Sequence, residues 1–161
     1  GQPLYEQLGF HAEWGFQRWE REGENAPEFS LGGDLSAQMV ATDEVAFGAD
    51  RSRWLTSVGA GCRVFTTPST VGMLRRGSVA TYLGPVVSED SSEVASMVGE
   101  MLSTVEGRIF WDIPSGNEVS EQLASTHGFQ PVRQLLRMWR GDSNVAGRPE
   151  LQFALLDPTT G

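Results

Sequence analysis

The feature that most constrains this chain is a stretch near its end, Asn117 to Arg140, NEVSEQLASTHGFQPVRQLLRMWR. Asn117 suits a helix N-cap, because its side-chain oxygen can accept a hydrogen bond from a first-turn amide. Val119 and Leu123 lie one turn apart on a shared face. Gly128 falls where a helix usually closes on a left-handed residue. Phe129 to Arg140 then reads as a strand. The same arrangement recurs at the start of the chain, 119 positions earlier (Leu4 onto Leu123). Leu4-Tyr5-Glu6-Gln7-Leu8-Gly9-Phe10 lies over Leu123-Ala124-Ser125-Thr126-His127-Gly128-Phe129. Phe16, Arg18 and Arg21 fall over Leu135, Arg137 and Arg140. Internal repetition of this kind governs how the rest is read.

These residues resemble the final helix and strand of the GCN5-related N-acetyltransferase (GNAT) superfamily. There an Asn opens the helix, a Leu-Tyr pair follows, and Gly-Phe closes it. Leu4-Tyr5 with Gly9-Phe10, and Asn117, Leu123 and Gly128-Phe129, match that pattern. The second copy departs from it at Ala124, which stands in the Tyr position.

The chain between the copies supports a mixed α+β sheet protein. Glu20 to Pro27 reads as a linker, and Phe29 to Leu31 as a short strand. Asp34 or Ser36 can cap a helix carrying Leu35, Met39 and Val40. A second helix is expected over Ala49 to Val58, broken by Gly59-Ala60-Gly61. Asp43, Phe47, Gly48, Asp50 and Arg51 resemble the corresponding segment of double-domain GNAT members. Arg63–Thr66, Val71–Leu74 and Val79–Val87 are strand signals separated by short turns, hence an antiparallel meander. Pro85 cannot donate to a sheet ladder, so it marks a bulge or the end of pairing.

Val94, Met97, Val98, Met101, Leu102 and Val105 make one helical stripe within Glu93 to Val105. Asp90 to Glu93 has capping-box spacing. Arg108 to Ile113 is apolar enough for a buried strand, and the helical crossover makes it parallel to the Val79 strand. Leu151 to Leu156 supplies a last strand. The expected organisation is the tail of a preceding copy over residues 1–24, then a GNAT-like domain over 28–157. The orphaned strand, Ala12 to Trp19, must complete a sheet, either in this chain, in a symmetry mate or in a missing N-terminal domain.

The resemblance implies a site. The bulged strand, Leu83, Gly84, Pro85, Val86 and Val87, would hold the pantetheine arm of acetyl-CoA. The next helix N-terminus, at Ser91 and Ser92, would receive the pyrophosphate, with Asn117 near the coenzyme. Tyr5 would protonate the leaving thiolate. The loop Ser88 to Glu93 lacks the family's glycines and basic residue, however, and its three carboxylates would repel a pyrophosphate; they also serve simply as helix caps. Asp112 reads either as a general base or as the partner of an arginine. His11 and His127 read as cap or surface residues, and the tryptophans as core or interface.

Composition narrows the partners. Every one of the 12 Lys+Arg residues is Arg, against 21 Asp+Glu, for a net charge of −9. That excludes a general nucleic-acid binder and an anionic membrane partner, and suits a cationic amine, on a small molecule or on a peptide. Cys62 is the sole cysteine, so no intrachain disulfide forms and the cytoplasm is the expected compartment. With two histidines beside it, no zinc site is expected. The overall expectation is an acetyl-CoA-dependent N-acetyltransferase. The competing one is a degenerate module of the same fold serving as scaffold, dimerisation surface or small-ligand binder.

Overall fold

A computed structural model describes residues 2–23, 30–32, 35–141 and 147–158. The expected contributions of Asp34 and of Phe29 fall outside these residues. The first helix, α1 (Gln2–Gln7), leads through Gly9 into β1 (Phe10–Arg21). Next come α2 (Ala37–Phe47), α3 (Ser52–Gly59), and the meander β2 (Cys62–Thr66), β3 (Thr70–Arg76) and β4 (Thr81–Ser88). The chain continues through α4 (Ser91–Ser103), β5 (Ile109–Pro114), α5 (Glu118–Thr126), β6 (Gln130–Arg140) and, after a 3-10 turn, β7 (Gln152–Ala154).

Six strands run in the order β2-β3-β4-β5-β1-β6, and β7 pairs with β4 off that path. The meander is antiparallel, and β4 pairs with β5 in parallel, as the crossover through α4 requires. The N-terminal strand completes the chain's own sheet. It lies between β5 and β6, antiparallel to both, so both its edges are paired.

Helix ends follow local chemistry. Ser36 caps α2 by accepting from the Met39 amide, and Gly48 closes it at φ 88°. Helix α3 starts at Ser52, three residues later than Ala49, because the Asp50 carboxylate accepts the Ser52 amide at 2.8 Å. Asp90 takes the Ser92 amide at 2.9 Å. Glu93 does not reach back in a capping box; its carboxylate accepts instead from Thr67 and Thr70 on the β2–β3 turn.

Two cores form on the two faces of the sheet. The stripe of α4, with Leu83, Ile109, Trp111, Ile113, Ala124, Phe129 and Phe153, makes the larger. Met39, Ala46, Leu55, Val71, Met73, Val87, Leu151 and Leu156 make the other. Each buried Val, Leu, Ile, Phe or Met among them contributes about 1.5–3 kcal/mol from water exclusion. That is ample to hold the sheet against which the site is built.

Candidate active site

The site is a wedge between β4 and β5. The two strands pair at Thr81↔Ile109, Tyr82↔Phe110 and Leu83↔Trp111, then part. Parting begins at Gly84, whose φ of 146° disfavours a side chain, and a Cβ there would strike the Leu155 carbonyl. Pro85 follows, with no amide to donate. The bulge expected at Pro85 is thus the place where parallel pairing stops.

The wedge is filled by the chain's own C-terminal strand. Val86 and Val87 of β4 pair antiparallel with Ala154 and Gln152 of β7. On the β5 side, the Leu155 amide donates to the Asp112 carbonyl at 2.8 Å. Side chains lock the segment in place. The Phe153 carbonyl accepts from Trp111 Nε1 at 2.9 Å and from Ser120 Oγ at 2.8 Å. Asn117 Nδ2 donates to the Gln152 carbonyl, and Gln152 Nε2 to the Ala46 carbonyl, both at 2.9 Å. Residues 151–156 are all buried.

Phe153 of the inserted strand and Pro114 at the end of β5 also line an open cleft of about 440 Å³, with Ser91, Ser115 to Val119, Pro149 and Glu150. Ser91 and Asn117 therefore meet in one cleft, at the N-termini of α4 and α5, whereas none of Leu83–Val87 lines it. Asn117 has two tasks there: its Oδ1 caps α5 by accepting the Ser120 amide at 3.0 Å, and its Nδ2 holds β7. Ser92 is not part of the lining, and its amide is taken by Asp90. The Ser92 hydrogen bonds hold the Asp90 carboxyl below its usual range. Hydrogen bonds from Thr67 first, then Ser69 and Thr70, do the same for Glu93. Two carboxylates so held at the α4 N-terminus disfavour a further anion there.

Tyr5 is not brought to this cleft. It sits on α1, half-exposed, with its ring edge-on to Phe10 at 5.4 Å. Asp112 is held by Arg18 through two 2.8 Å hydrogen bonds, the arginine alternative of the two read from sequence. Burial alone would lower the Arg18 pKa, but the hydrogen bond and charge of Asp112, with Tyr82 beside it, more than offset it and raise it overall. Arg18 also lies over the rings of Phe110, at 4.5 Å, and Tyr82, at 5.4 Å. His127 forms the C-cap of α5, and His11 stacks on Trp139. Among the described residues no His, Cys, Asp and Glu group could hold a metal ion.

The residues that sequence reasoning missed are Gln152, Phe153 and Leu155, which occupy the wedge. Their signal was a polar Gln inside an otherwise apolar terminal strand, a residue that must find hydrogen bonds once buried.

A mixed sheet whose fourth and fifth strands pair in parallel and then splay is the architecture that the sequence resemblance implies. Comparison with known proteins specifies it. A family model for the GNAT acetyltransferase domain matches residues 39–154, more than half of the chain. The chain belongs to the GNAT acetyltransferase family.

Solved structures agree on the fold. A Pyrococcus horikoshii protein classed as an acetyltransferase superposes with a TM-score of 0.80 at 20% identity, over 100% of this chain and 57% of its own. A GCN5-related N-acetyltransferase from Sphaerobacter thermophilus gives 0.50 at 12% identity, over 91% and 58%. This chain therefore spans somewhat under two thirds of the structures it matches. No curated protein sequence matches it. No described helix is long and apolar enough to cross a membrane.

Proposed function

We propose that this chain is one unit of an acyl-CoA-dependent N-acetyltransferase that moves an acetyl group from acetyl-CoA to an amine, and that this unit is not the one that holds the coenzyme. The carrying observation is β7 in the β4–β5 wedge. By resemblance, that wedge is where a pantetheine arm would lie along β4. Here the ladder groups of Val86 and Val87 are spent on Ala154 and Gln152. The residues present do not fit acetyl-CoA, and no chemical step is assigned to them.

The unit then serves as scaffold for a second GNAT-like unit, to which α1 and its Tyr5 belong by repeat. In this reading Tyr5 acts as the acid for the leaving thiolate in that other unit. The acceptor is a small-molecule or peptide amine, in keeping with the net charge of −9. The same charge leaves nucleic acid and anionic membranes out of the reading. Burial pushes the Cys62 thiol up to about 11, so the lone cysteine is kept as an unreactive core residue, which is compatible with the cytoplasm.

Calorimetric titration of acetyl-CoA into the 161-residue chain tests this. No binding at millimolar coenzyme is expected. Binding in the micromolar range would overturn the reading and make the wedge a working coenzyme site, with β7 displaced.

A further inference from the structure

The β1–β6 ladder has a property of its own: it is nearly two-fold symmetric under the sequence repeat. Its pairs include His11↔Trp139 and Glu20↔Gln130, Ala12↔Met138 and Trp19↔Pro131, Gly15↔Leu136 and Gln17↔Gln134. Moving each first residue forward, and each second residue back, by the repeat length converts one member of each couple into the other. Phe16↔Leu135 maps onto itself and marks the axis. The two irregularities obey the same operation. One lies between Ala12 and Gly15 of β1, the other opposite Arg18/Trp19, where β6 carries the additional residue.

The symmetry stops at the outer edge of β6. Strand β1 has a second neighbour, with Phe16–Arg21 opposite Pro114–Ile109 of β5. The equivalent partner of β6 would lie opposite Leu135–Arg140, yet among the described residues β6 ends the sheet. An eleven-residue edge strand is long, and its free amides and carbonyls are a template for another strand. It carries Arg133 and Arg140, besides Arg137, which is ion-paired with Glu13 of β1 at 3.0 Å, and no acid, whereas β5 carries Asp112 and no base.

The helices repeat the contrast. Ala124 and Phe129 are fully buried, while Tyr5, in the Ala124 place, is 49% exposed. Leu4 and Leu8 beside it are 60% and 54% exposed.

We propose that the outer edge of β6, together with the apolar face of α1, docks a β5-equivalent strand and its sheet from a second GNAT-like unit preceding this one in the same polypeptide. That unit would lie antiparallel to Leu135–Arg140. A second copy of this chain cannot supply the strand, because its β5 is flanked by β4 and β1. The inference rests on the two-unit reading above but not on acetyl transfer.

The test compares the 161-residue chain with its complete natural polypeptide by amide hydrogen exchange. Peptides covering residues 133–140 should exchange at least tenfold more slowly in the complete polypeptide. The variant Leu4→Asp should leave the melting temperature of the 161-residue chain within about a degree, since Leu4 is exposed there, and lower that of the complete polypeptide by several degrees. Equal exchange in the two proteins would overturn the docking. So would self-association of the 161-residue chain through β6, seen as a dimer in sedimentation with those amides protected. An acetylation assay on the complete polypeptide separates the two readings: protection without activity keeps the docking and removes the enzyme, while activity without protection does the reverse.

Discussion

The helix–Gly–Phe–strand motif occurs twice in this chain, with one backbone and two surroundings. Gly9 and Gly128 have the same φ, 81°, and each turns a helix into a strand. Around the second copy, Ala124 and Phe129 enter the main core and Phe129 meets Trp111 edge-on at 5.6 Å. Around the first copy, Phe10 is half-buried and meets Tyr5, while Leu4, Tyr5 and Leu8 face solvent. Local sequence thus dictates the turn and the strand, whereas burial depends on what stands opposite. The difference teaches that a motif can be preserved in geometry and still lack its packing partners within the unit that carries it.

Truncating the two phenylalanines should break the equivalence most sharply. Phe129→Ala empties a fully buried site and should cost about 3–5 kcal/mol in urea unfolding. Phe10→Ala removes a half-buried ring and should cost about 1 kcal/mol. Equal losses would mean that the two copies are packed alike, against the burial seen here.

A smaller effect should restore the equivalence. Nothing lies within 4 Å of a Cβ built on Gly9 or Gly128, so alanine at either meets only backbone strain. Both variants should lose about 1–2 kcal/mol, and by the same amount within error. A markedly larger loss at Gly128 would show that the core imposes a further constraint on that turn.

The smallest expected effect concerns charge, and it belongs to the second copy's domain alone. Hydrogen bonds to Thr67, Ser69 and Thr70 depress the folded pKa of Glu93 below 4.5. A depressed carboxylate stabilises the fold above its unfolded pKa, and that contribution is lost as pH falls through the folded value. Glu93→Gln should therefore lower stability slightly at neutral pH and leave the value near pH 2 little changed, which flattens the decline in acid, as followed by thermal melts across pH 2–7. A decline identical to that of the natural sequence would remove Glu93 from the acid response.

Much of the fold was legible because its signals are local. The stripe of α4, the Asn117 cap, Gly128 and the short turns of the meander each depend on residues a few positions apart. The position of β1 was not legible. A strand announces its alternation but not its neighbour, and its partners lie about 90–130 positions away, beyond any periodic signal. The Arg18–Asp112 pair was foreseen only as Asp112 with some arginine, for the same reason. At the site, the parting of β4 at Gly84-Pro85 could be read from residue chemistry. Its filling by Gln152–Leu155 could not, because a three-residue strand with one glutamine is compatible with many edges.

The interior position of β1 also sets the order in which the protein can be completed. Residues 10–21 are synthesised before the strands on either side of them, residues 109–114 and 130–140. At about 5–20 residues per second, roughly 6–24 s separate the emergence of β1 from that of its last neighbour. During that interval Trp14, Phe16 and Trp19 have no β5 or β6 to join. The place of β1 between β5 and β6 is therefore completed only after a delay many times longer than a hairpin needs to form.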